Sequence, residues 1–531
     1  MPVQRNPVGW LAVVLHAHLP FVRHPELPRF MEEDWLFEAI TETYVPLLDA
    51  FDGLVREGVG FRYTMSLTPP LVTMLADELL QERYVRYLDE RIELATKEMR
   101  RLRGSKELYP LAEMYYGIFT RSRFLFCDRW NRDLVSAFRR LQDQGVLEII
   151  GCAATHGFLP LLLNRTLQRA QVQIGVEHYW EHFGRGPVGM WLPECAYVPG
   201  LDALLAEFGV RYFLVETHGV LNSDPSPRYG VYAPLVTPSG VAAFGRDVES
   251  SHQVWSKDIG YPGDVDYREF YRDIGFDLGE EYIRPYLHSP DVRHATGFKY
   301  YRITGETDDK ATYHPGWARE KAATHAGNFL FNREQQVKHL AMFMDRPPIV
   351  VAPYDAELFG HWWYEGPQFL DFLARKAHYD QSTIALTTPG EYLNRHPVGQ
   401  VATPALSSWG ANGYFDVWLN HANDWIYPHL HRAGERMREL VRHYAYADGA
   451  HRRALNQAAR ELLLAQSSDW AFIMTTGTTV QYAVRRFQDH IGRFTKLYED
   501  LKAGTVDEPW LREVEMRDNV FPNVRYETFR D

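Results

Sequence analysis

The chain has 531 residues, 45% of them hydrophobic and 24% charged, with a formal net charge of −12. Two or three domains are expected at that length. The acidic balance argues against a nucleic-acid backbone as partner, and no apolar run approaches the length that spans a bilayer.

Aromatic residues reach 14%; they fill cores in most proteins, but their faces also stack on sugar rings. Cys127, Cys152 and Cys195 are too few, and odd in number, for a disulfide framework. Met1 to Trp10 lacks the basic start and long apolar run of a signal peptide, so a cytoplasmic protein is expected.

In chain order, Trp10 to Leu15 is an apolar run that predicts a buried strand. His16 and His18 follow it. Residues two apart in extended chain share a face, so the two imidazoles point the same way. They can bind a metal, hydrogen-bond a ligand, or sit idle in a loop. Glu38 to Arg56 predicts a helix and Phe61 to Leu67 a second strand, a pattern of parallel sheet with helical crossovers.

From Leu71 to Gln144 helical spacing dominates, predicting an insertion with solvated charged faces. Leu147 to Gly151 resumes the strand pattern, and His156 lies in the turn beyond it. Gln168 to Phe183 predicts a helix. Val188 to Leu192 is then a short apolar strand that Pro193 ends, leaving Glu194 just past its carboxyl end. Barrel and open-sheet enzymes place catalytic carboxylates there, although a helix cap is the plainer role. Cys195 beside it has no flanking motif of a thiol nucleophile.

Arg211 to Val215 predicts another strand. Gly219 to Gly240, with four prolines and with Tyr229 and Tyr232, is long for a connection and reads as a lid or an idle loop. Val241 to Gly245 predicts a strand ending at Arg246 and Asp247. The irregular, aromatic-rich stretch from Gln253 to Arg302 is expected to frame a site. Ile349 to Pro353 is a strong strand leading to Asp355, which can serve function or cap the next helix, with Glu357 close by as the alternative functional group. Thr383 to Leu386 is expected to be the last strand. Beyond Glu391 the pattern is helical, and Asp469 looks like a helix cap.

Seven or eight strands alternating with helices predict a parallel barrel, its strand ends gathering His16, His18, His156, Glu194, Asp247 and Asp355. Two carboxylates on one such face are what glycosyl transfer requires: one attacks the anomeric carbon, the other protonates the leaving oxygen.

These stretches together resemble glycoside hydrolase family 57, and within it the members that branch 1,4-α-glucans. The resemblance is carried by His16-Ala17-His18-Leu19-Pro20, Ala153-Ala154-Thr155-His156-Gly157, Trp191-Leu192-Pro193-Glu194, Tyr354-Asp355-Ala356-Glu357-Leu358-Phe359-Gly360-His361-Trp362 and Ser468-Asp469-Trp470. It implies an irregular seven-stranded (β/α) barrel formed by residues 1–70 and 146–390. A helical insertion would span 71–145 and a C-terminal helical domain 391–531. It implies Glu194 as nucleophile and Asp355 as general acid/base. His16, His18, His156, Arg246, Trp255, Gly263, Trp409, Trp418 and Asp469 would bind substrate, with no metal and no organic cofactor. A tyrosine of the loop 219–240, Tyr229 or Tyr232, would cover the site.

The expected partners are an α-glucan donor and acceptor such as amylose or glycogen, with no nucleic acid or membrane, in a monomer or small homo-oligomer. The alternatives are an α-amylase or 4-α-glucanotransferase on the same site, a metal-dependent hydrolase built on His16, His18 and Asp247, and a non-catalytic glucan binder.

Overall fold

The structure is a computed structural model that describes residues 7–255, 260–288 and 292–530. Its strands are β1 (Gly9–Ala17), β2 (Tyr63–Leu67), β3 (Leu147–Cys152), β4 (Gly189–Trp191), β5 (Tyr212–Val215), β6 (Leu235–Val236), β7 (Ala242–Gly245), β8 (Ile349–Asp355), β9 (Ile384–Leu386) and β10 (Gln400–Val401). They run in the order β10-β6-β7-β5-β4-β3-β2-β1-β8, with β9 against β1. The pairings are parallel except for β6 with β7. From β8 through β1 to β5 and β7 this is a run of seven parallel strands. Between its two ends, the Asp247 backbone N–H donates to the Val351 carbonyl at 2.9 Å. The curled sheet is therefore the irregular barrel the sequence predicts. β9 pairs only with Gly9 to Leu11 at the start of β1, and β2 takes over that edge from Val14 onward.

Side-chain alternation separates two cores. Trp10, Ala12 and Val14 of β1 join Ile150, Cys152, Trp191, Tyr212, Leu214, Ala242, Phe244, Ile349 and Val351 in one cluster inside the barrel. Leu11, Val13 and Leu15 face the other way, into the larger core shared with the helices. Continuing the same period of two carries His16 and Asp355 to the inward face at the carboxyl ends of β1 and β8. The register pairs these two residues directly.

Helices Pro69–Ala76, Glu78–Arg101, Tyr109–Phe124 and Leu134–Asp143 lie between β2 and β3. Asp77 and Asp133 cap two of them, accepting from Leu80 N at 3.1 Å and Ser136 N at 2.8 Å. Helix Arg165–Phe183 sits tightly on β3, and a Cβ at Gly175 would stand 2.1 Å from the Cys152 carbonyl oxygen. Beyond β10 an irregular stretch with a 3-10 turn at Ala411–Gly413 leads to helices Ile426–His443, Gly449–Ala465, Ser468–Thr476, Val480–Lys502 and Glu508–Arg517.

Two expectations change. The helix predicted from Glu38 begins at Glu33 and contains a π-turn at Ile40–Tyr44 before continuing to Arg56. The stretch 219–240 does not cover the carboxyl ends of the strands. Tyr232 accepts through its carbonyl from Ile349 N at 3.0 Å, and Tyr229 lies beside Arg346, so the loop runs to the amino end of β8. As expected, the irregular stretch after Gln253 frames a cavity, lined by its Phe270, Tyr271, Phe276 and Lys299, and it also packs on the helices between β2 and β3: Tyr300 Oη donates to Glu98 at 2.9 Å and Tyr115 Oη to the Lys299 carbonyl at 2.7 Å. Residues 256–259 and 289–291 of that stretch lie outside the described residues.

Candidate active site

The strand ends converge on one face. β1 delivers His16 and, just beyond it, His18; the turn after β3 delivers His156; the turn after β4 delivers Glu194; β5 leads to Glu216, β7 to Arg246 and β8 to Asp355. Pro193 stops the β4 ladder, and Glu194 and Cys195 then take left-handed backbone, φ 61° and 49°. Such backbone costs about 1–3 kcal/mol for a non-glycine residue and concentrates at functional sites. Here it turns Glu194 toward the barrel mouth instead of along the strand.

Three imidazoles stack beside the carboxylates. His16 lies flat on Trp191, ring centres 4.3 Å apart and planes 6° apart, and its Nε2 is 3.0 Å from Nε2 of His156. The His156 ring stacks on His18 at 3.8 Å, and its Nδ1 is 2.8 Å from Ser468 Oγ. His18 Nδ1 is 2.9 Å from Thr68 Oγ1, and its Nε2 is 3.1 Å from both carboxylate oxygens of Asp469. Burial lowers the pKa of His16 and His156, so both are neutral hydrogen-bonding groups at neutral pH.

Glu194 is held from two sides by residues of the C-terminal part. Trp409 Nε1 donates to Oε2 at 3.1 Å and Ser468 Oγ to Oε1 at 3.3 Å. Burial is the largest cause raising its pKa to about 8, with the negative charges of Asp355 and Asp469 adding to it. Burial likewise raises Asp355 to about 6, against the pull of His18 and Arg246. The two carboxyls feel each other's charge, so at neutral pH the unliganded pair holds one proton between them. The bonds from Trp409 and Ser468 favour the ionised form of Glu194 but do not offset burial, so in the unliganded enzyme the shared proton rests on Glu194 and must pass to Asp355 before Glu194 can attack. Asp469 is the opposite case. Burial pushes it up, but His18 more than offsets this and brings it down to about 2.

A third buried carboxyl, Glu357, stands beside the pair. It accepts from Tyr44 Oη at 2.5 Å and His18 N at 3.2 Å, and burial raises its pKa to about 8. From here a cavity of about 500 Å³ extends over His18, Glu357, His361, Trp362 and Asp469. Trp362 is 53% exposed and stacks on Phe270 at 4.5 Å, which offers a broad flat surface on the cavity wall.

The remaining predicted residues divide. Arg246 bonds Glu216 at 3.1 Å and Ser251 at 2.7 Å, with its guanidinium over the Trp409 ring. Trp255 meets Trp409 edge-on at 6.1 Å. Trp418 is 1% exposed, stacked on Phe158 at 4.9 Å, which leaves no ring face for a sugar. The turn at Gly263 is held by helix Pro315–Ala341: Tyr261 bonds Asn328 and Asp264 pairs with Lys321. Asp469 is not a cap; Ser467 takes that position, and the carboxylate reaches His18. Asp355 stands before the short 3-10 turn Ala356–Leu358 without a side-chain cap bond to it, and Glu365, not Asp355, precedes helix Gly366–Tyr379.

Asp247 caps Ser250 N at 2.8 Å and pairs with buried Arg333 at 3.2 Å, so it does not join His16 and His18 as a metal ligand. His18, His156 and Asp469 do offer ligand atoms within 4.8 Å of one another. Their engagement with each other, Thr68, Ser468 and His16 gives them protein partners instead. Cys195 is buried and its thiol pKa is raised, which removes it as a nucleophile. Sequence reasoning passed over Thr68, Glu216 and Tyr44. Glu216 carries the same signal as Asp355, a carboxylate at a strand end; the other two carry none.

Comparison with known proteins matches residues 12–404 to the model for glycosyl hydrolase family 57. Residues 429–529 match the model described as 1,4-alpha-glucan branching enzyme, C-terminal. The chain is 35% identical to the 1,4-alpha-glucan branching enzyme TK1436 of Thermococcus kodakarensis, across 97% of this chain and 77% of that one. The crystal structure of the alpha-amylase AmyC from Thermotoga maritima is 47% identical, covering 98% of this chain and 99% of its own, with a TM-score of 0.93. The branching enzyme of Pyrococcus horikoshii is 34% identical over 99% of this chain and 97% of its own, with a TM-score of 0.89.

Proposed function

From the premise that this chain belongs to glycosyl hydrolase family 57, we infer that it is a 1,4-α-glucan branching enzyme working by double displacement. The observation that carries the reading is the buried pair Glu194 and Asp355 at one end of the barrel, with Trp409, Ser468 and Asp469 closing over it from the C-terminal part. Ionised Glu194 attacks the anomeric carbon of an α-1,4-linked glucose, and Asp355 gives its proton to the departing 4-oxygen. The covalent glycosyl-enzyme then waits for an acceptor. Asp355, now ionised, takes the proton of a glucan 6-hydroxyl, whose oxygen displaces Glu194 and forms the α-1,6 branch.

His16, His18 and His156 would hydrogen-bond sugar hydroxyls, and Asp469 would fix His18 in place. Arg246, Trp255 and Trp409 would line the glycone side. The stacking surface on the cleft wall falls to Trp362 rather than Trp418. On the same reading residues 1–70 and 146–390 form the catalytic barrel, 71–145 the insertion and 391–531 the C-terminal domain. The product would be a glycogen-like polymer made in the cytoplasm, and the enzyme a monomer or small homo-oligomer.

A second reading is hydrolysis, favoured by the 47% identity to a structure described as an alpha-amylase. The two differ in what reaches the glycosyl-enzyme first, a sugar hydroxyl or water. Incubation with amylose decides between them. Branching adds α-1,6 anomeric signals to the proton NMR spectrum, whereas hydrolysis releases reducing ends without them.

A further inference from the structure

The cavity of about 500 Å³ beside Glu357 also reaches groups that no step above uses. On the side of the carboxylates it is lined by His18, Glu357 and Asp469. Helix Glu33–Ala39 adds Trp35 and Glu38, and the irregular stretch after Gln253 adds Phe270 and Lys299. Lys299 is only 3% exposed, and its ammonium lies 3.9 Å over the Phe270 ring. It has no hydrogen bond or ion pair among the described residues. The Glu38 carboxylate, the Trp35 indole N–H and Nε2 of His361 likewise have no hydrogen-bond partner among them. All four groups are open to the cavity they line rather than sealed in the interior. His361 is fixed from behind, its Nδ1 2.7 Å from Glu42. A carboxylate only accepts, so the hydrogen of a neutral ring sits on Nδ1 and Nε2 is left to accept.

An uncharged, polyhydroxylated ligand answers this set. An anion would meet the carboxylates of Glu38, Glu42, Asp273, Glu357 and Asp469 around a single lysine. A cation would meet that lysine and leave the indole N–H unsatisfied. A sugar hydroxyl donates to Glu38 and His361 and accepts from Lys299 and Trp35. Water does the same, but it leaves the aromatic faces of the lining wet. Trp362, Tyr271 and Phe472 are 53%, 79% and 43% exposed. The apolar face of a pyranose covers such rings.

Position says which sugar. The cavity meets the reaction centre at Glu357, two residues past Asp355, and none of Arg246, Trp255 and Trp409 lines it. Asp355 gives a proton to the oxygen that departs and takes one from the oxygen that arrives, so a chain lying here presents its oxygen to that residue. The departing segment has only to leave. The acceptor must be held, 6-hydroxyl forward, while water competes. We propose that this cavity is the acceptor-glucan site, in which Trp362 and Phe472 carry the sugar rings and Trp35, Glu38, Lys299 and His361 hold the hydroxyls. Its volume is within the ~300–1,000 Å³ that encloses a small organic ligand. The proposal rests on the α-glucan reading of the cleft and adds which of the two chains lies where.

The test separates donor from acceptor. The donor is α-maltotriosyl fluoride labelled with carbon-13 at the reacting anomeric carbon; its leaving group is a single atom, so no donor sugar enters this cavity. Maltoheptaose is added as acceptor over a range of concentrations. Carbon NMR of the label then counts free maltotriose against linked product. The ratio is internal to each sample, so a loss of folded enzyme does not move it. In the parent, linked product is expected to replace free maltotriose with a measurable half-point in maltoheptaose. Trp362→Ala removes a half-exposed ring, and Lys299→Met keeps the stem but removes the ammonium, which is the costlier group to bury. Each is expected to raise the half-point about tenfold. A half-point unmoved in either variant overturns the proposal. A parent that yields only free maltotriose at every acceptor concentration overturns it together with the branching reading. A parent that leaves the fluoride untouched overturns the α-glucan reading itself.

Discussion

Trp409 donates its indole N–H to Oε2 of Glu194 at 3.1 Å and its backbone N–H to the Glu194 carbonyl at 2.9 Å. One residue of the C-terminal part thus fixes both the backbone and the charge of the nucleophile. Trp409→Phe keeps an aromatic ring in the same place but removes the indole donor. A hydrogen bond to a charged group contributes about 1.5–3 kcal/mol, so kcat is expected to fall about tenfold or more. The acid limb of the rate profile moves to higher pH, because the donor had favoured the ionised carboxylate. Steady-state kinetics on amylose across pH checks both effects.

The pair itself sets the pH dependence. Glu194 is raised to about 8 and Asp355 to about 6, and the active form holds one proton between them. The expected kcat/KM profile is a bell with limbs near those two values, each belonging to the coupled pair. In Asp355→Asn, Glu194 loses its charged neighbour and its own pKa falls. The variant's residual rate with an activated glycosyl donor, which needs no leaving-group proton, is then flat above that lower value.

Burial of Glu194 has a stability consequence of definite sign. Its folded pKa of about 8 lies above the ordinary 4.5, so the folded chain binds the proton more tightly than the unfolded chain. Stability contributed by that proton is complete below pH 4.5 and is lost as pH rises through 8. Glu194→Gln abolishes turnover and escapes the loss. Its melting temperature is expected to match the parent near pH 4 and to exceed it progressively up to about pH 8. Equal melting temperatures at every pH contradict this account of the site.

Asp469 has the opposite sign. His18 holds it at about 2, below its ordinary 3.8, so its stabilising effect is present above that value and fades as pH falls toward 2. Asp469→Asn is expected to cost about 2 kcal/mol at pH 7 in denaturant unfolding, and little of that at acid pH. Activity falls with it, because His18 loses the partner that orients its ring.

These contacts mark what could be read from the sequence and what could not. The positions of the main strands and the two carboxylates were legible because they are local signals: unbroken apolar runs, a proline that ends a ladder, a carboxylate just beyond. Even the inward placement of His16 and Asp355 follows from counting along β1 and β8. The bond from His18 to Asp469 joins residues 451 apart, and no local pattern announces it. Asp469 therefore read as a helix cap. Trp418 read as a sugar platform because indoles serve both purposes, and only packing against Phe158 shows which. The loop 219–240 read as a lid or an idle loop from its length and prolines. Its path to the amino end of β8 is set by the backbone bond to Ile349, which composition does not encode.

The most direct test of the central claim uses one sample. Amylose is incubated with the purified protein, and α-1,4 and α-1,6 anomeric protons are integrated by NMR while reducing ends are counted. The account predicts that α-1,6 signals accumulate in the parent with few new reducing ends, and that neither changes in Glu194→Gln. Reducing ends rising without α-1,6 signals, or branching that survives in Glu194→Gln, contradicts it.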